Sequence, residues 1–341
     1  MALQLGSAQQ YGRDRLTSIG AFLDGVFPAT APGVDGVGQP PSLLSETGVF
    51  TDLATLSPRA GLMPYVVNSP LWTDGSVKQR WVAVPNDGTA NSAAEQIQFS
   101  PDSPWAFPVG TVAVKQFDLP TDERDSSQIR RVETRFIVRA ANGGVYGVTY
   151  KWREDGADAN LLLDGTSQEI TVTDTNGTVS TQTWSYPSRT DCLSCHNPHA
   201  GYLLGLNTHQ LNGDFTYPST GRSDNQLRTL NHLGLFSPRI DESAIASYLS
   251  SVPLTDTSVP VETRVRSYLD ANCAHCHRPD ALATSFDTRF TTPFDEQNLI
   301  DGSVLYDLGV EDARVIVPRS IQRSILHRRV SSVGIHQMPP I

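Results

Sequence analysis

All four cysteines of the chain fall into two copies of one five-residue pattern, Cys192-Leu-Ser-Cys195-His196 and Cys273-Ala-His-Cys276-His277. C-x-x-C-H is the attachment pattern of a c-type haem. Each thiol adds to one porphyrin vinyl group, and the spacing lets both sulfurs reach one edge of the macrocycle. The adjoining histidine then lies under the iron as its proximal ligand. A zinc ribbon also uses paired C-x-x-C units, but here about 77 residues separate the pairs, far beyond ribbon spacing. A thioredoxin-like pair needs no following histidine and rarely occurs twice. Disulfides within each pair leave both histidines unexplained. The expected cofactors are therefore two covalently bound haem c groups. Cys192, Cys195, Cys273 and Cys276 carry them, and His196 and His277 ligate the irons.

Covalent haem is installed outside the bacterial inner membrane, which places the expected protein in the periplasm, outside the cell or at its surface. The segment Met1–Gly25 is polar and interrupted by glycine, without the basic start and apolar core of a secretory signal. The expectation is that a signal was processed or left off. No run approaches the ~20 apolar residues of a membrane helix. With 36 acidic against 26 basic residues the net charge is −10. That excludes nucleic acid as a natural partner and favours a basic or neutral redox partner protein held less tightly in salt. Only Lys78, Lys115 and Lys151 are lysines, an arginine bias read as genome composition.

Ahead of the second motif, Val261, Val265, Tyr268 and Leu269 recur at helical spacing and predict a helix over Val261–Asn272. Downstream, Ser320–Val330 predicts another, with Ile321, Ile325 and Leu326 on one side and Pro318 ahead of its start. The chain then reaches Gln337-Met338-Pro339-Pro340. This order of helix, C-x-x-C-H, loop, helix and Met-Pro resembles a small single-haem cytochrome c domain. The resemblance implies that Met338, about 61 residues beyond His277, supplies the sixth ligand to the second iron. It also implies a final helix beyond the methionine, whereas the sequence stops at Ile341. That helix is expected to be missing, with Ala21–Phe27 as the alternative replacement. His275, His327 and His336 read as surface or loop residues.

The first motif follows a strand-like stretch, Gln182–Pro187, and has no methionine before the second motif. His232, on a short predicted helix within Asn225–Phe236 ended by Gly234, is the preferred sixth ligand. His209, in a loop, Met63, and an open iron are the alternatives; His199 lies too near the motif to cross the haem plane. Arg189, Arg222, Arg278, Arg319 and Arg323 are candidates for pairing with haem propionates.

In the front half, Lys78–Val84, Val112–Phe117, Arg131–Arg139, Val145–Arg153, Gln168–Val172 and Val179–Trp184 read as strands. Asn142-Gly-Gly144, Asp155-Gly156 and Asn176-Gly177 mark hairpin turns between them. The spacing suggests a sandwich or jelly-roll-like domain, preceded by a wrapping arm over Phe27–Pro41. The acidic hairpin Asp155–Asn160 lacks a calcium-loop ligand pattern and reads as a solvated turn. No hydrolase, zincin, Walker or dinucleotide motif occurs. The expected fold class is α+β and multidomain. It comprises an arm (1–45), an all-β sandwich-like domain (46–188), a first haem-binding region (189–256) and a cytochrome c-like domain (257–341), the last two mainly α-helical.

Several stretches carry a wider resemblance: Pro64–Trp81, Phe107–Thr111, Tyr146–Arg153, Asp191–His196 and Tyr268–His277. In these the chain, from about residue 45 onward, resembles a bacterial family of dihaem c-type cytochromes with a leading β domain. The resemblance implies two haems and the β-then-cytochrome order, and it implies no substrate. Electron transfer in the cell envelope is the leading expectation, because no protein acid or base is conspicuous. A dihaem oxidoreductase resembling the bacterial cytochrome c peroxidases, with an open first haem, is the alternative. A haem-bearing subunit of a larger assembly is a third.

Overall fold

Residues 145–152 are buried at seven of eight positions, although an exposed sheet face would leave alternate side chains in water. The sheet that contains them is covered on both sides. In the computed structural model, which describes residues 26–32, 38–86, 92–281 and 284–339, six antiparallel strands lie in the order β3-β4-β6-β7-β8-β9. Chain order runs through β1 (Phe50–Asp52), β2 (Ser57–Pro58), β3 (Met63–Pro64), β4 (Val77–Ala83), β5 (Ile97–Gln98), β6 (Val112–Pro120) and β7 (Ile129–Arg139). It continues with β8 (Val145–Trp152), β9 (Ala159–Leu162), β10 (Thr166–Thr173) and β11 (Val179–Tyr186). The predicted strand runs all form strands, and Asn142–Gly144, Asp155-Gly156 and Asn176-Gly177 fall at the hairpin turns. Met1–Gly25, read as lacking a signal, lies outside the described residues, as does most of the alternative replacement helix at Ala21–Phe27.

One sheet face buries Trp81, Val114, Phe136, Val148 and Tyr150 under Leu44, Val49, Phe50 and Leu62. The described part of the arm joins this layer. Phe27 stacks on Phe136 at 4.7 Å between ring centroids, and Tyr146 and Tyr150 donate to the carbonyls of Pro28 and Pro41. The opposite face buries Val82, Ile137 and Val145 against Cys192, Leu203, Leu206, Leu227 and Leu230. Beside them, the β10–β11 hairpin seals Phe117 and Leu119 with Ile170 and Trp184. Asp158, in the acidic hairpin, is buried and accepts from the Ser45 hydroxyl and amide, so its carboxylate serves the fold.

The expected fold class needs correction. Strand makes up 27% and helix 19%, and among the described residues only three helices reach seven residues, so the molecule is β-dominated rather than a β domain followed by mainly helical cytochrome domains. Those three are α1 (Arg189–Cys195), α3 (Gln226–His232) and α4 (Val261–Cys273); α2 (Thr208–Leu211) and α5 (Ile325–Val330) are shorter. The expected sandwich is instead a six-stranded meander with one hairpin laid on it.

Two physical causes account for the difference. First, the sheet's second face needs an apolar cover, and the segment around the first motif supplies it instead of building a separate helical core. Second, local polar bonds beyond the second motif compete with helix. The Ser324 hydroxyl accepts from the Val317 amide and donates to the Ser320 carbonyl, so the helix predicted over Ser320–Val330 begins only at Ile325. Asn298, Asp301, Leu308 and Asp312 take left-handed backbone and hold Asn298–Asp312 in turns. The helix predicted before Cys273 forms, but Val261 and Val265 stay exposed; Leu269, Ser267 and Asn272 are its buried residues. Among the described residues no helix is long and apolar enough to cross a membrane.

Candidate functional site

Helix α1 begins with a capping box, in which Ser188 and Asp191 satisfy each other's amides. It runs for about two turns and ends at Cys195, inside the first motif. The helix is pressed onto β8 where Gly147 stands: a Cβ there would meet the Cys192 Sγ at 2.5 Å. Only glycine lets the thiol lie this close to the sheet.

After the helix the backbone turns sharply. Gly201 and Tyr202 both adopt left-handed conformations (φ 74° and 66°), and the Tyr202 carbonyl accepts a hydrogen bond from His196 Nδ1 at 2.5 Å. Arg139 lies over the Tyr202 ring, 4.6 Å from its centroid. With Nδ1–H donating to a carbonyl, the imidazole lone pair is on Nε2, the arrangement a metal-bound histidine requires. Burial also pushes the His196 pKa down to about 4, which keeps the ring neutral and able to ligate at neutral pH.

The second motif follows the same plan by a different route. Helix α4 delivers Cys273 from its last turn, and the Asn272 carboxamide accepts from the Trp72 amide at 2.8 Å. His277 Nδ1 lies 3.1 Å from the Thr284 hydroxyl, which itself donates to the Phe286 carbonyl, so it accepts from the ring. Nε2 is again left with its lone pair. Phe286 stacks on the imidazole at 4.5 Å.

The fold brings the two motifs into contact. The Cys276 Sγ lies 3.8 Å from the carbonyl of Ser194, inside the first motif. Asn197, just after the first motif, donates to the carbonyl of His275, inside the second, at 3.0 Å. Arg278 donates to the carbonyls of Ala274 and His199, clasping both segments. His275, expected as a surface or loop residue, lies in a turn and is buried where the motifs meet. His327 and His336 are exposed as expected, and so is His199.

All four cysteines are unpaired. Burial raises every thiol pKa, that of Cys195 to about 11 and that of Cys273 to about 12. A thiol–disulfide exchange centre needs the opposite shift. Although the pairs adjoin, among the described residues no three His, Cys, Asp or Glu side chains converge to hold a bare metal ion. Two thiols beside one half-buried, neutral imidazole whose Nε2 is left free, twice over, fit a haem c.

The sixth-ligand candidates are placed differently. Met338 donates its amide to the Arg329 carbonyl at 3.2 Å, and the Arg329 charge bears on His277, so the Met-Pro segment is tied to the helix facing the second motif. His232 is the last residue of α3, whose Leu227 and Leu230 bury in the cluster containing Cys192. Met63 packs against that same cluster. His209 sits in α2 rather than a loop, and its ring is committed: Nδ1 lies 2.7 Å from the Ser251 hydroxyl and Nε2 3.6 Å from Asp270. Of the arginines singled out in the sequence, Arg278 sits at the junction, Arg189 bonds Gln39 in the arm, and Arg222, Arg319 and Arg323 are exposed. Asn197, Tyr202 and Thr284 were not foreseen, since each acts through a loop conformation without a motif.

No protein-family model, curated protein or solved structure matches the chain.

Proposed function

We propose that the protein is a dihaem c-type cytochrome that transfers electrons in the bacterial cell envelope, exchanging them with a redox partner protein. The contact between the two C-x-x-C-H motifs is the observation that carries this reading. Two motifs about 77 residues apart in sequence touch through Ser194 and Cys276 and through Asn197 and His275. Such adjacency serves passage of electrons between two centres and serves no single-centre chemistry. When bound, haem c supplies one-electron redox chemistry at each iron.

The chain's own residues do the rest. Cys192, Cys195, Cys273 and Cys276 would hold the two haems, while His196 and His277 present Nε2 to the irons. Tyr202 and Thr284 orient those rings from behind. Met338 would complete the second site, and His232 is the candidate at the first. The acidic surface favours a basic or neutral partner, and salt weakens that association.

Co-expression with a c-type haem maturation system tests the reading. The expected product carries two haems that stay with the polypeptide on a denaturing gel, and one in each of the Cys192→Ala/Cys195→Ala and Cys273→Ala/Cys276→Ala variants. A mature protein without covalent haem overturns it.

A further inference from the structure

The register of three adjacent strands lines up three cations. Arg80 on β4 pairs with Lys115 on β6, and Lys115 pairs with Arg135 on β7. Paired residues in an antiparallel sheet point to the same face, with Cβ atoms roughly 4.5–5.5 Å apart, and like charges placed opposite one another are destabilising. Among the described residues the sheet matches only one of the three with an anion. Glu133 engages Arg135 through both of its oxygens. Among the described residues no carboxylate pairs with Arg80 or Lys115. This occurs in a chain with ten more acidic than basic residues, so carboxylates were not scarce.

The row faces the first motif. Arg135 stands two residues from Ile137, which is paired with Gly147, the residue against which Cys192 rests. Both Lys115 and Arg135 bear electrostatically on Cys195 and His196. The Phe117 ring packs against both side chains, 4.9 Å from Lys115 and 4.5 Å from Arg135. Lys115, unmatched beside the first motif, and Arg80, its unmatched neighbour in register, call for carboxylates brought from outside the chain.

We propose that Arg80 and Lys115, steadied by Arg135, form the seat for the two propionates of the first haem. The proposal rests on the dihaem reading. It moves propionate recognition from the loop arginines flanking the motifs to the β-sheet, and it gives the sheet a role in setting potential. Cations near the propionates favour the reduced haem, whose net charge is one unit more negative than that of the oxidised form.

Redox titration of the mature dihaem protein tests this, using wild type, Arg80→Gln, Lys115→Gln, the conservative Lys115→Arg, and Arg329→Gln beside the second motif. Lys115→Gln and Arg80→Gln are expected to lower the same one of the two midpoint potentials, each by about tenfold in the reduction constant, or about 59 mV for one electron. Lys115→Arg stays near wild type, and Arg329→Gln moves the other wave. Two haems attached with neither wave moved by Lys115→Gln and Arg80→Gln overturns the propionate seat and leaves the dihaem reading intact. So does movement of the same wave by Lys115→Gln and Arg329→Gln. Wild type without haem overturns the dihaem reading itself.

Discussion

Asn197 donates through Nδ2 to the carbonyl of His275 at 3.0 Å, while its Oδ1 accepts from the Ala200 amide at 3.0 Å. One carboxamide therefore caps the turn after the first motif and grips the interior of the second. Asn197→Asp keeps the cap but loses the donor, and Asn197→Ala loses both. Each lost bond costs about 1 kcal/mol. Urea unfolding should rank wild type above Asn197→Asp above Asn197→Ala; an Asn197→Asp protein as stable as wild type shows that the grip on His275 contributes nothing.

Gly147→Ala tests the docking of α1 on the sheet. The new methyl would lie 2.5 Å from the Cys192 Sγ and 2.9 Å from its Cβ, so the helix must back away. A loss of about 1–3 kcal/mol is expected. Haem attachment should fall at the first motif and stay complete at the second, as read by haem content in the Cys273→Ala/Cys276→Ala and Cys192→Ala/Cys195→Ala backgrounds.

His209 makes the fold sensitive to acid. Burial lowers its pKa from 6.5, and Asp270 opposes that shift only in part. In the unfolded chain the ring takes up a proton below the usual histidine value, while the folded state resists. Its contribution to stability is therefore complete above that value and is lost as pH falls from about 7 towards 5. Denaturant midpoints across this window should slope less in His209→Gln than in wild type. Equal slopes would mean that other groups set the acid response.

Carbon monoxide reports on the sixth positions. On the dihaem proposal, Met338→Ala would open the second haem, so the reduced variant should bind the gas there, and Met338→His should lower that haem's potential by replacing sulfur with nitrogen. In wild type both haems are expected to ignore the gas. Binding at the first haem would show that His232 does not ligate it and would turn the reading towards a dihaem oxidoreductase.

Much of this molecule is written locally. Runs of β-forming residues and the Asn-Gly or Asp-Gly turns between them set most of the strands from Val77 to Tyr186, and the helix into Cys273 follows from its spacing. Both C-x-x-C-H motifs are legible because their three fixed residues fall within five consecutive positions. Each of these signals lives within one turn or one strand.

What the sequence could not reveal depends on partners far along the chain. That Cys276 meets Ser194, that His275 is buried, and that His209 is held by Ser251 and Asp270 follow from the cover that residues 189–256 provide for the sheet's second face. The cation row needed register: Arg80, Lys115 and Arg135 are scattered in sequence and become neighbours only when strand pairing aligns them. The expected helical cytochrome fold failed for the same reason. Helical periodicity measures local amphipathicity, while the choice between a helix and a turn-rich wrap was made by side chains such as Ser324, which bond the backbone, and by an apolar sheet face that needed covering.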